Sequence, residues 1–306
     1  MNQEIRFGLV TLQHIPWKKE VKRWKSIEAL GFDGAWVGDH FANPFQPTAP
    51  WFESWTLLAS LASCTSHIRI GTLVTSIPLR NPAVLARQAL TVDHISNGRL
   101  ELGLGAGVSG KTDPVYSMTG IEDWAPPERV ARFHEIVEIV DQCLRNRITT
   151  YEGRYYKLKN TAMSPPPIQQ PRPPITIAAM GPSMLRIAAR YADTWNSLGG
   201  EFGAPPETIV ENIKHQNRLL DDCCAKIGRN PKTLRRSLLV FGLEAETVFD
   251  SEEAFKEVVE RYLEVGITEF MFFHPDTAPS ISSRAYEQIA LEVIPELRRS
   301  NASMLR

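Results

Sequence analysis

Cysteine is scarce: the chain has four, Cys64, Cys143, Cys223 and Cys224. Their spacing suits neither a zinc site nor a disulfide framework, so a reducing cytoplasm is the expected compartment. Charge of either sign is not in excess, with 34 Lys+Arg against 35 Asp+Glu. That balance argues against a nucleic-acid partner or a charged membrane-surface partner. No apolar run reaches the ~20 residues that a membrane span needs. Residues 1–10 lack a basic segment followed by a long apolar one, so no signal peptide is expected. There is no P-loop and no Gly-x-Ser-x-Gly elbow, and His14 and His40 stand alone, so no metal site is expected.

What the chain does have is 43% hydrophobic residues over 306 positions, enough for a large core. Its organising stretch is Gly31-Phe32-Asp33-Gly34-Ala35-Trp36-Val37-Gly38-Asp39-His40. A helical run stops at Gly31, a short apolar strand follows, and two titratable side chains arrive at its carboxyl end. The same alternation continues along the chain. Strands are expected at 5–10, 34–38, 68–74, 100–104, 175–178, 194–197, 236–243 and 267–273. Helices are expected at 20–30, 53–64, 82–95, 128–144, 182–191, 207–227, 252–265 and 286–298. Eight strands alternating with helices predict an α/β fold, a single-domain (β/α)8 TIM barrel over residues 1–306. A doubly wound open sheet is the alternative. Two insertions are expected, a loop at 108–125 and a segment at 149–173. The latter holds a small hairpin around Tyr151–Leu158 and a proline-rich extended connector at 164–174.

In a barrel the chemistry sits at the carboxyl ends of the strands. That rule gathers Gln13 and His14, Asp39 and His40, Thr75 and Ser76, Gly105 to Gly107, Ala178 to Gly181, and Asn196 and Ser197. Two of these loops suit an anion. Gly105-Ala106-Gly107 is small enough to expose its N–H groups, and Ala178-Ala179-Met180-Gly181 leads into a helix N-terminus. The alternative is that these glycines only turn the chain. Two such loops with an Asp-His pair point to a phosphate-bearing cofactor.

These stretches resemble the bacterial luciferase-like superfamily of flavin- and deazaflavin-dependent oxidoreductases. The resemblance rests on residues 31–40, Ile68 to Thr75, Arg80 to Ala83, Asp93-His94-Ile95-Ser96-Asn97-Gly98-Arg99, Gly103 to Gly107, and Ile175 to Asp193. It covers most of residues 5–200 and is diffuse beyond. The Trp-x-x-Asp-His ending is similar to the branch that uses coenzyme F420, an 8-hydroxy-5-deazaflavin. FMN is the alternative cofactor.

The resemblance implies that Asp39 and His40 contact the tricyclic ring, with His40 near the hydride-transfer edge and Asp39 orienting the ring or the imidazole. It implies a non-proline cis peptide near Thr72-Leu73-Val74, and a cofactor site drawn from Thr72, Leu73, Thr75, Gly105, Ala106, Gly107 and Ala178 to Gly181. Helices two and three often pair subunits in this family, so a homodimer is implied as well. One departure stands out. Where deazaflavin enzymes acting on alcohols or sugar phosphates often carry Glu, this chain has Val108, which argues against a simple alcohol or sugar-phosphate dehydrogenase. Glu53 is then either a substitute proton carrier or a charge complementing a helix N-terminus. His14, Trp51 and Phe52 are candidate pocket residues, and Trp51, Phe52 and Trp55 either line an apolar substrate pocket or pack a loop.

The expected function is hydride transfer between coenzyme F420 and a small organic substrate. A first alternative is an FMN-dependent monooxygenase that uses reduced flavin, supplied by a partner reductase, and oxygen. A second is a non-catalytic flavin-binding barrel. Loops 41–52, 108–125 and 274–284 are expected to decide the substrate.

Overall fold

The computed structural model describes residues 4–108, 110, 113–201, 203–277 and 283–304. Parts of the expected substrate loops, residues 109, 111, 112 and 278–282, lie outside the described residues. In chain order the elements are β1 (Arg6–Thr11), α1 (Trp17–Ala29), β2 (Gly34–Val37), α2 (Ser54–Cys64), β3 (Arg69–Thr72), β4 (Thr75–Ser76) and α3 (Pro82–Ile95). They continue with β5 (Leu100–Gly105), α4 (Val115–Thr119), α5 (Pro126–Arg145), β6 (Ile148–Glu152), β7 (Lys157–Ala162), β8 (Ile175–Ala178), α6 (Pro182–Tyr191) and β9 (Thr194–Ser197). The last are α7 (Pro206–Lys226), β10 (Arg235–Leu239), α8 (Leu243–Thr247), α9 (Glu252–Leu263), β11 (Glu269–Phe273), α10 (Ser283–Gln288) and α11 (Ile294–Met304).

The hydrogen-bonded strand order is β3-β2-β1-β11-β10-β9-β8-β5-β4, and β3 also pairs with β5. The order therefore returns on itself, which an open doubly wound sheet does not do. The fold is a (β/α)8 barrel, with β4 continuing the third barrel strand and β6–β7 forming a separate antiparallel hairpin. By internal contacts the chain divides into two compact units. One holds residues 1–12, 25–36 and 179–306, the other residues 13–24 and 37–178.

In the first unit, aromatic rings fill the layer behind β1 and β11. Phe7 stacks on Phe270, and Phe255 lies against Phe7, Phe249 and Phe272. Gly8 is required by close approach: a Cβ there would come within 2.5 Å of the Met271 sulfur.

The second unit holds the stretch 93–99, and its residues turn out to be frame. The Asp93 carboxylate accepts from the N–H of Ile168 at 2.7 Å and of Gln169 at 3.1 Å, which fastens the proline-rich connector. The Arg99 guanidinium is buried and donates to the carbonyls of Ala62, Thr65, Ile68 and Ser96. Those of Ala62 and Thr65 close the C-terminus of α2, where a cation is favoured. A non-proline cis peptide joins Leu73 to Val74.

Several expectations on boundaries need correction. The insertion at 108–125 is not all loop, since it contains α4. The seventh barrel strand ends at Leu239 rather than 243, because Gly242 (φ +70°) turns the chain into α8. The closing helix is longer than expected and is interrupted by a π-helical turn at Ile289–Val293. Among the described residues no helix is long and apolar enough to cross a membrane.

α2 begins at a side-chain cap. The Glu53 carboxylate accepts from the N–H of Trp55 at 3.3 Å and of Thr56 at 2.7 Å, and from Arg80 at 2.7 Å. Burial works against the charged form, but these hydrogen bonds and the Arg80 charge outweigh it and hold Glu53 below its usual 4.5. A depressed carboxylate contributes stability above its unfolded value and loses it as pH falls through the folded one. Wild type is therefore expected to lose more unfolding free energy than Glu53→Gln between pH 6 and pH 3. The difference should be about 0.5 kcal/mol, because the Glu53 side of the pair is half-exposed and screened. Denaturant melts across that range check it.

A second expectation concerns Gly103. A Cβ at this position would lie 1.8 Å from the Thr72 carbonyl oxygen, which is backbone and cannot swing aside. Gly103→Ala should cost ~3 kcal/mol or more by overpacking. Gly31→Ala, at φ +81° in open space, should cost only ~1 kcal/mol. Equal losses in urea melts would contradict the packing argument.

Candidate active site

The site is built where β2 ends. Gly38 follows the buried strand, and its carbonyl accepts from the Gln13 amide at 2.7 Å and the Ser54 hydroxyl at 2.7 Å. Gln13 also donates to the Phe52 carbonyl at 3.2 Å and the Ser54 oxygen at 3.0 Å. The chain is thus clamped one residue before the Asp-His pair.

Asp39 is 3% exposed. Its Oδ2 accepts from the Ser76 N–H at 3.1 Å and from Arg80 Nε at 3.0 Å, while Oδ1 accepts from Arg80 Nη2. Arg80 in turn reaches Glu53. Although burial pulls the other way, the hydrogen bonds and charges of Asp39 and Glu53 hold Arg80 above its ordinary value. This carboxylate is fully engaged with protein groups of its own rim.

His40 has different neighbours. Its Nδ1 lies 2.8 Å from Asp113 Oδ2. Its backbone carbonyl accepts from the Trp51 indole at 3.0 Å, and the Trp51 ring meets the imidazole edge-on at 6.4 Å between centroids. Nε2 has no hydrogen-bond partner among the described residues, and the side chain is 35% exposed. Asp113 also accepts from the Val115 N–H at 2.9 Å. Burial raises its pKa, but the bonds from His40 and Val115 and the His40 charge outweigh that and hold it below the usual 3.8.

Two expected roles are corrected by this geometry. Asp39 does not hold the imidazole, because its oxygens are taken by Arg80 and by the Ser76 N–H. The orienting carboxylate is Asp113, 73 residues away in sequence. Glu53 is not a free proton carrier, because its oxygens cap α2 and pair with Arg80. Asp113 escaped the sequence reading because its loop carries no periodic pattern. The departure at Val108 was the one available hint that a carboxylate had to come from elsewhere.

The remaining candidates divide by burial. The Thr72 and Thr75 hydroxyls are buried and bond each other at 2.7 Å, and Thr72 also reaches the Gly103 carbonyl. Leu73, at the cis bond, is 7% exposed. At Gly105 and Gly107 a Cβ would strike Val74 at 2.3 Å and Pro78 at 2.9 Å, so protein fills the space those glycines leave. Ala106, half-buried, lies between them. In the other unit, Ala179 N–H donates to the Asn196 carbonyl at 3.0 Å and its carbonyl accepts from the Trp195 indole at 2.7 Å. Met180 and Gly181 are exposed. Gly181 starts α6 with no side-chain cap and no atom within 4 Å of a would-be Cβ. The first-turn N–H groups of α6 have no helical acceptor by geometry. His14 and Trp51 are half-buried, and Phe52 is exposed. Trp55 is buried in α2, where it packs rather than lines an open surface. No group of three potential metal ligands occurs among the described residues.

A ketoreductase of Mycobacterium tuberculosis, named for phthiodiolone and phenolphthiodiolone dimycocerosates, is 30% identical over 290 residues. The match covers 86% of this chain and 72% of that protein. An F420-dependent secondary alcohol dehydrogenase superposes with TM-score 0.79 at 19% identity, over 96% of this chain and 98% of that one. A coenzyme F420-dependent tetrahydromethanopterin reductase from Methanopyrus kandleri gives 0.76 at 20%, over 96% and 100%. A monooxygenase from Streptomyces bottropensis gives 0.75 at 18%, over 95% and 99%. Residues 5–302 match the luciferase-like monooxygenase family, and the chain belongs to it.

Proposed function

We propose that the protein is an oxidoreductase that uses a deazaflavin, coenzyme F420, to reduce or oxidise a small organic substrate at a carbonyl–alcohol centre. The observation that carries this reading is His40. It is an imidazole at a barrel-strand mouth, with Asp113 at Nδ1, the Trp51 ring edge-on to it, Nε2 open, and its backbone held by Trp51. That is the arrangement of a group that gives or takes a proton. The 30%-identical ketoreductase and the F420-dependent alcohol dehydrogenase of like fold support the same direction.

The residues present fit such a cofactor. The uncapped α6 N-terminus at Gly181 has room and donors for a phosphate. Met180 and Gly181 would contact that phosphate with their backbone. The side chains of Asp39, Thr72 and Thr75 are engaged with protein and would shape the rim from behind. When bound, the reduced deazaflavin supplies a hydride. The chain's own contribution is to hold His40 in place and to pass a proton through Nε2.

The FMN-dependent monooxygenase reading is supported by the Streptomyces bottropensis neighbour, and titration of the purified protein with each cofactor separates the two. Tight binding of F420 with two-electron reduction of a ketone panel is the expected result. Oxygen consumption with reduced FMN would overturn it. His40→Ala should keep cofactor affinity within about tenfold while turnover falls ~10²-fold or more. Unchanged turnover would remove His40 from the chemistry.

The same reading includes a homodimer. α2 carries no charged residue along its length, and beside it α3 exposes Val84 and Ile95. The charge-free α2, with these apolar side chains beside it and Arg87 the exposed charge on α3, suits a subunit contact. Sedimentation should give a particle of twice the chain mass, and Ser60→Arg with Val84→Arg should give monomers. A wild-type monomer at micromolar concentration would end the proposal.

A further inference from the structure

We infer that Asp113 is the positioning residue of the reaction: by accepting a hydrogen bond from the Nδ1–H of His40 it fixes the neutral imidazole as the tautomer whose Nε2 carries the lone pair. The inference deepens the proposed reading of His40 and rests on it.

The argument starts from hydrogen-bond capacity. An ionised carboxylate only accepts. Asp113 is buried at the rim, its Oδ2 lies 2.8 Å from Nδ1, and its Oδ1 accepts the Val115 N–H at 2.9 Å. Its pKa is held down despite burial, so it stays ionised at neutral pH. Nδ1 must then be the donor, and the tautomer follows.

The second observation is how firmly that carboxylate is mounted. The Val115 N–H it accepts belongs to the first turn of α4. The Tyr116 hydroxyl donates to the Val108 carbonyl at 2.7 Å. Asp123 accepts from the Gly110 N–H at 2.9 Å and pairs with Arg129 of α5, which also donates to the Trp124 carbonyl at 3.0 Å. The described residues Val108 and Gly110 are thereby tied to Tyr116 and Asp123, and Asp123 to α5. A carboxylate mounted in this way can hold an imidazole to one orientation, which a side chain on an untethered loop cannot. Val108 leaves the first position after Gly105-Ala106-Gly107 without a carboxylate, and Asp113 brings one in from five residues further on.

The proton balance is complete. For carbonyl reduction, the cofactor when bound would supply a hydride, and with it both electrons, and the carbonyl oxygen would need one proton. The imidazolium gives its Nε2 proton to the oxygen. The product is an alcohol and a neutral His40 that still donates Nδ1–H to Asp113. The carboxylate exchanges no proton.

The test reads the tautomer directly. Nitrogen-15 spectra of the histidine-labelled protein without cofactor, with His40 assigned through His40→Gln, should show neutral His40 protonated at Nδ1. Asp113→Asn and Asp113→Ala should lose that signature, and Asp113→Glu should restore it. Circular dichroism melts identify any variant that has simply unfolded. With reduced F420 and a reducible ketone, Asp113→Asn should lower kcat about 10²-fold or more with little change in KM, and Asp113→Glu should recover part of it. An Nε2–H tautomer in the wild type overturns the inference. So does an altered tautomer in a folded Asp113→Asn protein with full kcat. If the tautomer is fixed as stated but no ketone is reduced, the positioning stands and the proposed reaction fails.

Discussion

A carboxylate shut away from water organises this rim. Asp39 leaves β2 into a buried position and takes three donors, two from the Arg80 side chain and one from the Ser76 backbone. Removing one partner of a buried ion pair commonly costs 3–5 kcal/mol, because the other charge is stranded. Arg80 stands just before Asn81, the cap of α3, and its guanidinium also reaches Glu53, the cap of α2. One cation therefore registers the mouth of β2, the β4 segment and the starts of two helices against one another. With that registration in place, the next residue can present a side chain in a defined direction.

The adjacent acid and base consequently have separate jobs. Asp39 is consumed by the frame, while His40 is held at its backbone carbonyl by Trp51 and at Nδ1 by Asp113, with Nε2 left open. Had the two paired with each other, the frame would have lost its anchor and the imidazole its freedom to exchange a proton. The division rests on partners: Arg80 and the Ser76 N–H take the Asp39 oxygens, and Asp113 meets the imidazole.

Much of the barrel was legible because its signals are local. Strand β8 and strand β9 were read to the residue, since each is a short run bounded before by a proline or aspartate and followed within three residues by a glycine. Asn81-Pro82 announced α3, and Asn97-Gly98 its end, through backbone preferences alone. The cis bond at Leu73–Val74 came from the resemblance, because nothing in the composition of 72–74 requires it. Less local facts were missed. The roles of Glu53 and Asp39 depend on Arg80, more than 25 residues away, and no periodic pattern links them. The π-helical turn in the last helix involves side chains as apolar as those of an ordinary α-helix, so it leaves no mark in the spacing.

The stretch 93–99 teaches a related lesson about what a motif reports. It carries much of the resemblance, yet Asp93 secures the proline-rich connector and Arg99 closes the C-terminus of α2, so these residues hold the frame. The group that addresses the imidazole comes from 108–125, outside the strand–helix repeat. Frame residues are bound to fixed backbone partners and so keep fixed spacing. A carboxylate on a tethered loop needs only to reach Nδ1, and several loop lengths satisfy that. The recognisable part of such a barrel is therefore its frame, and the proton-handling partner must be found by asking what the imidazole touches.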